Sequence, residues 1–123
     1  MPKKILLVED EKDLASTILF RLSAKGYEVI LAYDGQEGLD KARADKPDLI
    51  ILDLMLPKID GYKVCALLKS DSRYSNIPIL IFSARAQDED RKKAKEAGAD
   101  FYMTKPFEPE VLLSKLKELL KEQ

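Results

Sequence analysis

The chain has 123 residues, 46% hydrophobic and 35% charged, with a formal net charge of -1. This is enough for one globular domain with its own core, and it lacks the basic excess of a general nucleic-acid binder. Histidine is absent and Cys65 is the single cysteine, which excludes an internal disulfide and a Cys/His zinc site and leaves only a hard, oxygen-held ion as a candidate metal.

Met1-Pro2-Lys3-Lys4 leads into the apolar run Ile5-Leu6-Leu7-Val8 and then directly into acids, unlike a signal peptide. Leu14, Ile18 and Leu22 recur every fourth residue, and Gly26 follows as a left-handed cap to that helix. The run 27–32 is more mixed and reads as an edge strand. Asp34 with Glu37 three residues on resembles a capping box for a second helix. Leu49-Ile50-Ile51-Leu52 is the third run, and Asp60-Gly61 opens a third helix. Ile79-Leu80-Ile81-Phe82 is the fourth run; Ala94 and Ala97 face inward on the helix after it, and Gly98 closes that helix. Phe101-Tyr102-Met103 is a short fifth run. Pro109 suits the first turn of the last helix, which carries Leu112, Leu116 and Leu119.

Continuous apolar runs of this length suit parallel strands buried on both faces. Five strand–helix repeats predict an α/β fold: an open five-stranded parallel sheet with helices on both faces, joined by right-handed crossovers. One domain over 1–123 is expected. No run approaches a membrane span, and a cytoplasmic location is expected.

In such a sheet every strand's carboxyl end lies on one edge, and ligands bind there where the strand order reverses. Glu9, Asp10 and Glu11 follow the first run, Asp53 the third, Ser83 the fourth, and Thr104-Lys105-Pro106 the fifth. Any one of these alone reads as an ordinary polar residue at a strand end; together they form a site. Crowded carboxylates repel one another unless a cation is present. Mg²⁺ fits, since it takes oxygen ligands from one or two carboxylates plus a phosphate. A carboxylate is also a nucleophile able to form an acyl phosphate. That transfer needs positioning and charge neutralisation, with Mg²⁺ and Lys105 as the cations and Ser83 and backbone N–H groups holding the remaining oxygens.

The stretches Ile5–Asp10, Asp48–Pro57, Asp60-Gly61, Ile79–Ala84, Gly98-Ala99-Asp100 and Thr104–Phe107, in this order and spacing, resemble the receiver domain of two-component response regulators over essentially the whole chain. The resemblance implies a (βα)5 flavodoxin-like fold with strand order 2-1-3-4-5. It implies that Asp53 is the phosphoacceptor, charged by a sensor histidine kinase or histidine phosphotransfer protein. Asp10 would ligate Mg²⁺ directly, Glu9 mainly through water, and Met55 through its main-chain carbonyl. Lys105, Ser83 and the Ala84 N–H would hold the phosphoryl group, with the Lys105-Pro106 bond cis. Ser83 and Tyr102 would be the switch residues, altering the surface of the fourth helix, fifth strand and fifth helix toward an output protein or effector domain. Met55 stands at a variable position beside the phosphoryl group and is expected to influence acyl-phosphate lifetime. Phe101 after Asp100, and Lys115 in place of a frequent arginine, argue against the charged dimer of many DNA-binding members, so a monomer or weak dimer is expected, with no direct nucleic-acid or membrane contact.

Other residues read more plainly. Cys65 is core packing, Asp13 a first-turn acid favoured by the helix dipole, and Arg91, Lys92, Lys93 and Lys95, mixed with Asp88, Glu89, Asp90 and Glu96, a solvated helix face. Tyr102 is also readable as a half-buried strand aromatic, and Phe101, taken as exposed, is a candidate partner contact. Two other functions compete. A Mg²⁺-dependent phosphatase with an aspartyl nucleophile would want a second acid two residues on, where Met55 stands. A flavin carrier of similar fold would want a phosphate loop after the first strand, where Glu9-Asp10-Glu11 would repel it. The protein is therefore expected to catalyse only its own phosphorylation and dephosphorylation.

Overall fold

The structure, a computed structural model, describes residues 2–85 and 87–121. Strands and helices alternate throughout: β1 (Lys4–Val8), α1 (Lys12–Ala24), β2 (Glu28–Ala32), α2 (Gly35–Asp45), β3 (Leu49–Asp53), α3 (Gly61–Lys69), β4 (Ile79–Ser83), α4 (Asp88–Glu96), β5 (Phe101–Thr104) and α5 (Pro109–Leu119). All pairings are parallel, and the strand order is β2-β1-β3-β4-β5. The expected flavodoxin-like α/β fold and strand order are present.

The three central strands are almost wholly buried because each of their faces meets a layer of helices. Ile5, Leu7, Leu49, Ile51, Leu80 and Phe82 pack on one side against Ala15, Ile18 and Leu22 of α1 and Leu112 and Leu116 of α5. Leu6, Val8, Ile50, Leu52 and Ile81 pack on the other, against Leu39 of α2, Val64 and Leu68 of α3 and Ala94 of α4. β2, at the sheet edge, is only half-buried, as its mixed composition predicts.

Helix ends follow local chemistry. Gly26 (φ +92°) and Gly98 (φ +96°) take the left-handed conformation just past α1 and α4. Asp34 caps α2 by accepting the Glu37 N–H at 2.7 Å, and Asp60 caps α3 by accepting the Lys63 N–H at 3.0 Å. The expected capping box at Asp34 is modified. The Glu37 carboxylate reaches one residue further back and accepts the Tyr33 N–H at 2.6 Å.

Phe101 is not the exposed aromatic that the sequence suggests. It lies half-buried against the α1–α5 side of the core, with the Lys115 ammonium 4.2 Å from its ring centroid. The ring packs against the cluster that holds Leu112 and Leu116 of α5, which shields it from solvent. Cys65 is fully buried and its thiol is pushed up to about 11 by that burial, in keeping with packing rather than reactivity. Asp13, Arg91, Lys92, Lys93 and Lys95 are exposed.

Candidate acidic pocket at the carboxyl edge of the sheet

The chain order β2-β1-β3 reverses between β1 and β3, and a crevice forms beyond their carboxyl ends. Register sets what enters it. Val8 pairs with Leu52, so Glu9 and Asp53, the next residue on each strand, leave the sheet side by side. Asp53 pairs with Phe82, and Ser83 with Thr104, which delivers Ser83 and Lys105 to the same edge.

Glu9, Asp10 and Asp53 each offer a carboxylate oxygen, and these atoms lie within 4.8 Å of one another. Glu9 is 1% exposed and Asp53 4%, while Asp10 stands at the exposed rim. Lys105 Nζ is 2.8 Å from Glu9 Oε1 and 3.3 Å from Asp53 Oδ2, and 4.6 Å from the Phe82 ring centroid. Burial alone would pull the ammonium pKa down. The Glu9 hydrogen bond and the Asp53 and Glu9 charges outweigh it and hold the pKa above its ordinary value. The other Glu9 oxygen accepts the Glu11 N–H at 3.0 Å. Partial burial, then the hydrogen bond and charge of Glu9, raise the Asp10 carboxyl above the usual range. One ammonium thus faces three carboxylates. The donor set, all oxygen and short of positive charge, fits a small divalent cation.

The connection after β3 comes close to the pocket. The Met55 N–H points at Asp53 Oδ1 over a long 3.4 Å, and the Met55 side chain is exposed. The Gly61 N–H donates to the Leu54 carbonyl at 3.0 Å. A Cβ on Gly61 would run into the Asp53 carbonyl and the Leu54 Cα, so only glycine lets α3 start this close to Asp53. The Lys105-Pro106 bond is cis, as expected.

Ser83 is buried, and its Oγ accepts the Arg85 N–H at 3.2 Å. Ala84 is exposed at the rim. Tyr102 is half-buried, and its hydroxyl donates to the Arg85 carbonyl at 2.6 Å. The structure therefore brings Glu9, Asp10, Asp53, Ser83 and Lys105 together, with Met55 and Ala84 beside them and Tyr102 linked to Ser83 both directly and through the Arg85 backbone.

Two residues beside this site escaped the sequence reading. Arg85 carries no signal in the sequence, and Asp90, expected among the solvated charges of α4, is only 5% exposed. The signal was available: Asp90, Ala94 and Ala97 fall at i, i+4 and i+7, one face of a helix.

A family model described as the response regulator receiver domain matches residues 5–117. The alkaline phosphatase synthesis transcriptional regulatory protein PhoP of Bacillus subtilis is 45% identical over 121 residues, which cover 98% of this chain and 50% of that protein. The chain spans about half the length of the curated relatives it matches. Among solved structures, a response regulator from Chloroflexus aurantiacus superposes with a TM-score of 0.94 at 34% identity, covering 99% of this chain and all of that one. The chemotaxis protein CheY4 of Vibrio cholerae gives 0.91 at 33%, covering 97% and 99%.

Proposed function

Since this chain belongs to the response regulator receiver family and is a receiver domain of two-component signalling, we propose that Asp53 accepts a phosphoryl group at a Mg²⁺ site formed with Glu9 and Asp10. The observation that carries this reading is the grouping of three carboxylates within 4.8 Å around a lysine that bridges two of them.

An Asp53 carboxylate oxygen attacks the phosphorus of the donor. The bond from phosphorus to the donor's leaving atom breaks, and that atom departs with the electron pair. Glu9, Asp10, Asp53 and the Met55 main-chain carbonyl would hold Mg²⁺, which supplies neutralisation of phosphoryl charge. Lys105 offers a second positive charge to the incoming oxygens. Ser83 Oγ and the Ala84 N–H orient the group. Ser83 and Tyr102 then report the new charge toward α4, β5 and α5. With Met55 two residues past the nucleophile, no second acid is available there to protonate a leaving group. The module turns over only its own acyl phosphate.

The donor is a sensor histidine kinase or histidine phosphotransfer protein, in the cytoplasm. The receiver end of the signal is an output protein or an effector domain, without direct nucleic-acid contact by this domain, and the domain acts as a monomer or weak dimer. The length of the relatives, about twice that of this chain, supports an effector domain. No described helix is long and apolar enough to cross a membrane.

Intact mass measured after incubation with Mg²⁺ and acetyl phosphate tests the core of this. The expected result is a gain of one phosphoryl group that disappears with EDTA and in Asp53→Ala. No gain in a folded, Mg²⁺-binding protein would overturn self-phosphorylation from small donors.

A further inference from the structure

We propose that Asp90 is a positioning residue for the switch: it anchors Arg85, and through the Arg85 backbone it sets where Tyr102 rests. The role is built on the reading of Ser83 and Tyr102 as switch residues.

Arg85 is bonded to three parts of the molecule. Its N–H donates to Ser83 Oγ at 3.2 Å, its carbonyl accepts the Tyr102 hydroxyl at 2.6 Å, and its Nε is 3.2 Å from Asp90 Oδ1. Arg85 therefore joins the hydroxyl of β4 to the aromatic of β5 through its backbone, beside a direct side-chain hydrogen bond between Ser83 and Tyr102. Its guanidinium also passes over the pocket rim, with Nη1 3.8 Å from Met55 Sδ.

Arg85 lies in a connection with an exposed side chain, whereas Asp90 is almost entirely buried in the first turn of α4. A buried carboxylate needs its cation and its hydrogen bonds, so the tether is pinned at the Asp90 end. Tyr62 of α3 secures it further. Its hydroxyl lies 3.3 Å from Asp90 Oδ1 and 3.2 Å from the Asp90 carbonyl. Burial, and then the Asp90 charge, push that hydroxyl up to about 12, so it remains a donor across the neutral range. The Arg91 guanidinium, 5.0 Å from the Tyr102 ring centroid, covers the ring from the next residue of α4. Without the Asp90 charge the Arg85 side chain keeps only its weak contact with Met55 Sδ, and the carbonyl that holds Tyr102 is freer to move.

The test is fluorine NMR of protein carrying 3-fluorotyrosine at its five tyrosines, without any phosphodonor, with Tyr102→Phe assigning the Tyr102 line. In Asp90→Asn that line is expected to shift toward the position of free fluorotyrosine, and in Tyr62→Phe to shift the same way by less. The Tyr27, Tyr33 and Tyr74 lines report that the fold is kept. A Tyr102 line that coincides with wild type in folded Asp90→Asn, whatever its melting temperature, overturns the proposal, because a merely structural Asp90 changes stability alone. Should Asp90→Asn fail to fold, Arg85→Ala breaks the same pair from its exposed side and is read by the same two outcomes. Mass gain at Asp53 is measured separately, so failure of the phosphoacceptor reading and failure of this one are distinguishable.

Discussion

Lys105 is the residue on which the pocket's charge balance turns. It neutralises a glutamate that is 1% exposed and reaches the Asp53 carboxylate as well. Removing one partner of a buried pair costs ~3–5 kcal/mol; with the Lys105 side chain 20% exposed, the lower end applies. Lys105→Met is therefore expected to lower the urea midpoint in EDTA, and millimolar Mg²⁺ is expected to recover part of the loss by binding the folded state. Phosphorylation from acetyl phosphate in the same variant is expected to slow by roughly 10²–10³, the usual effect of deleting one electrostatic stabiliser. An unchanged rate would remove Lys105 from the chemistry and leave it a purely structural cation. The three acids, Ser83 and Lys105 were readable as residues one or two places past an apolar run, whereas Met55 and Ala84 came only with the family resemblance. Their separations were not, because strand register sets them.

At the scale of elements, the start of α3 matters most. Asp60 and Gly61 were legible as a helix opening, and the Asp60 cap is present. Asp60→Ala is expected to cost ~1 kcal/mol, read from thermal unfolding. What sequence could not show is that Gly61 packs on the backbone of Asp53 and Leu54. Those atoms cannot rotate aside as a side chain can, so Gly61→Ala is expected to destabilise by ~1–3 kcal/mol. It should also slow phosphorylation by displacing the segment after Asp53, whereas Asp60→Ala should leave the rate near wild type. A stable Gly61→Ala with a normal rate would mean that the connection yields without moving Asp53. α4 is the element read least well. Its dense charge suggests a solvated helix, yet Asp90 shares the inward face of Ala94 and Ala97 and meets Tyr62 of α3 there.

For the whole molecule, the groups that burial and pairing perturb upward make alkaline pH the vulnerable side. Cys65, held up to about 11 against an ordinary 9.0, Lys105, raised above 10.5, and Tyr62, held up to about 12 against 10.0, all keep their protons longer in the folded chain than in the unfolded one. The folded state then binds more protons, so stability falls as pH rises. The fall is expected to begin near pH 9 with Cys65 and to continue beyond pH 11. Cys65 contributes about 2–3 kcal/mol, at ~1.4 kcal/mol per pH unit. Urea midpoints at pH 8, 9.5 and 11 check this, and Cys65→Ala is expected to flatten the first part of the decline. Stability that is level from pH 8 to 11 would contradict it.

Sequence by itself determined the class of fold, the order of its elements and the acids, hydroxyl and lysine of the pocket. Hydrophobic periodicity and strand ends are local properties, and a parallel sheet sends every strand end to one edge. Only the tertiary structure decided which groups touch. It set Asp90 against Arg85 and Tyr62, placed Phe101 beneath Lys115, and joined Ser83 to Tyr102 through Arg85. Those outcomes depend on how helices far apart in the chain lie on the sheet, and no short window of residues encodes a crossing or a register.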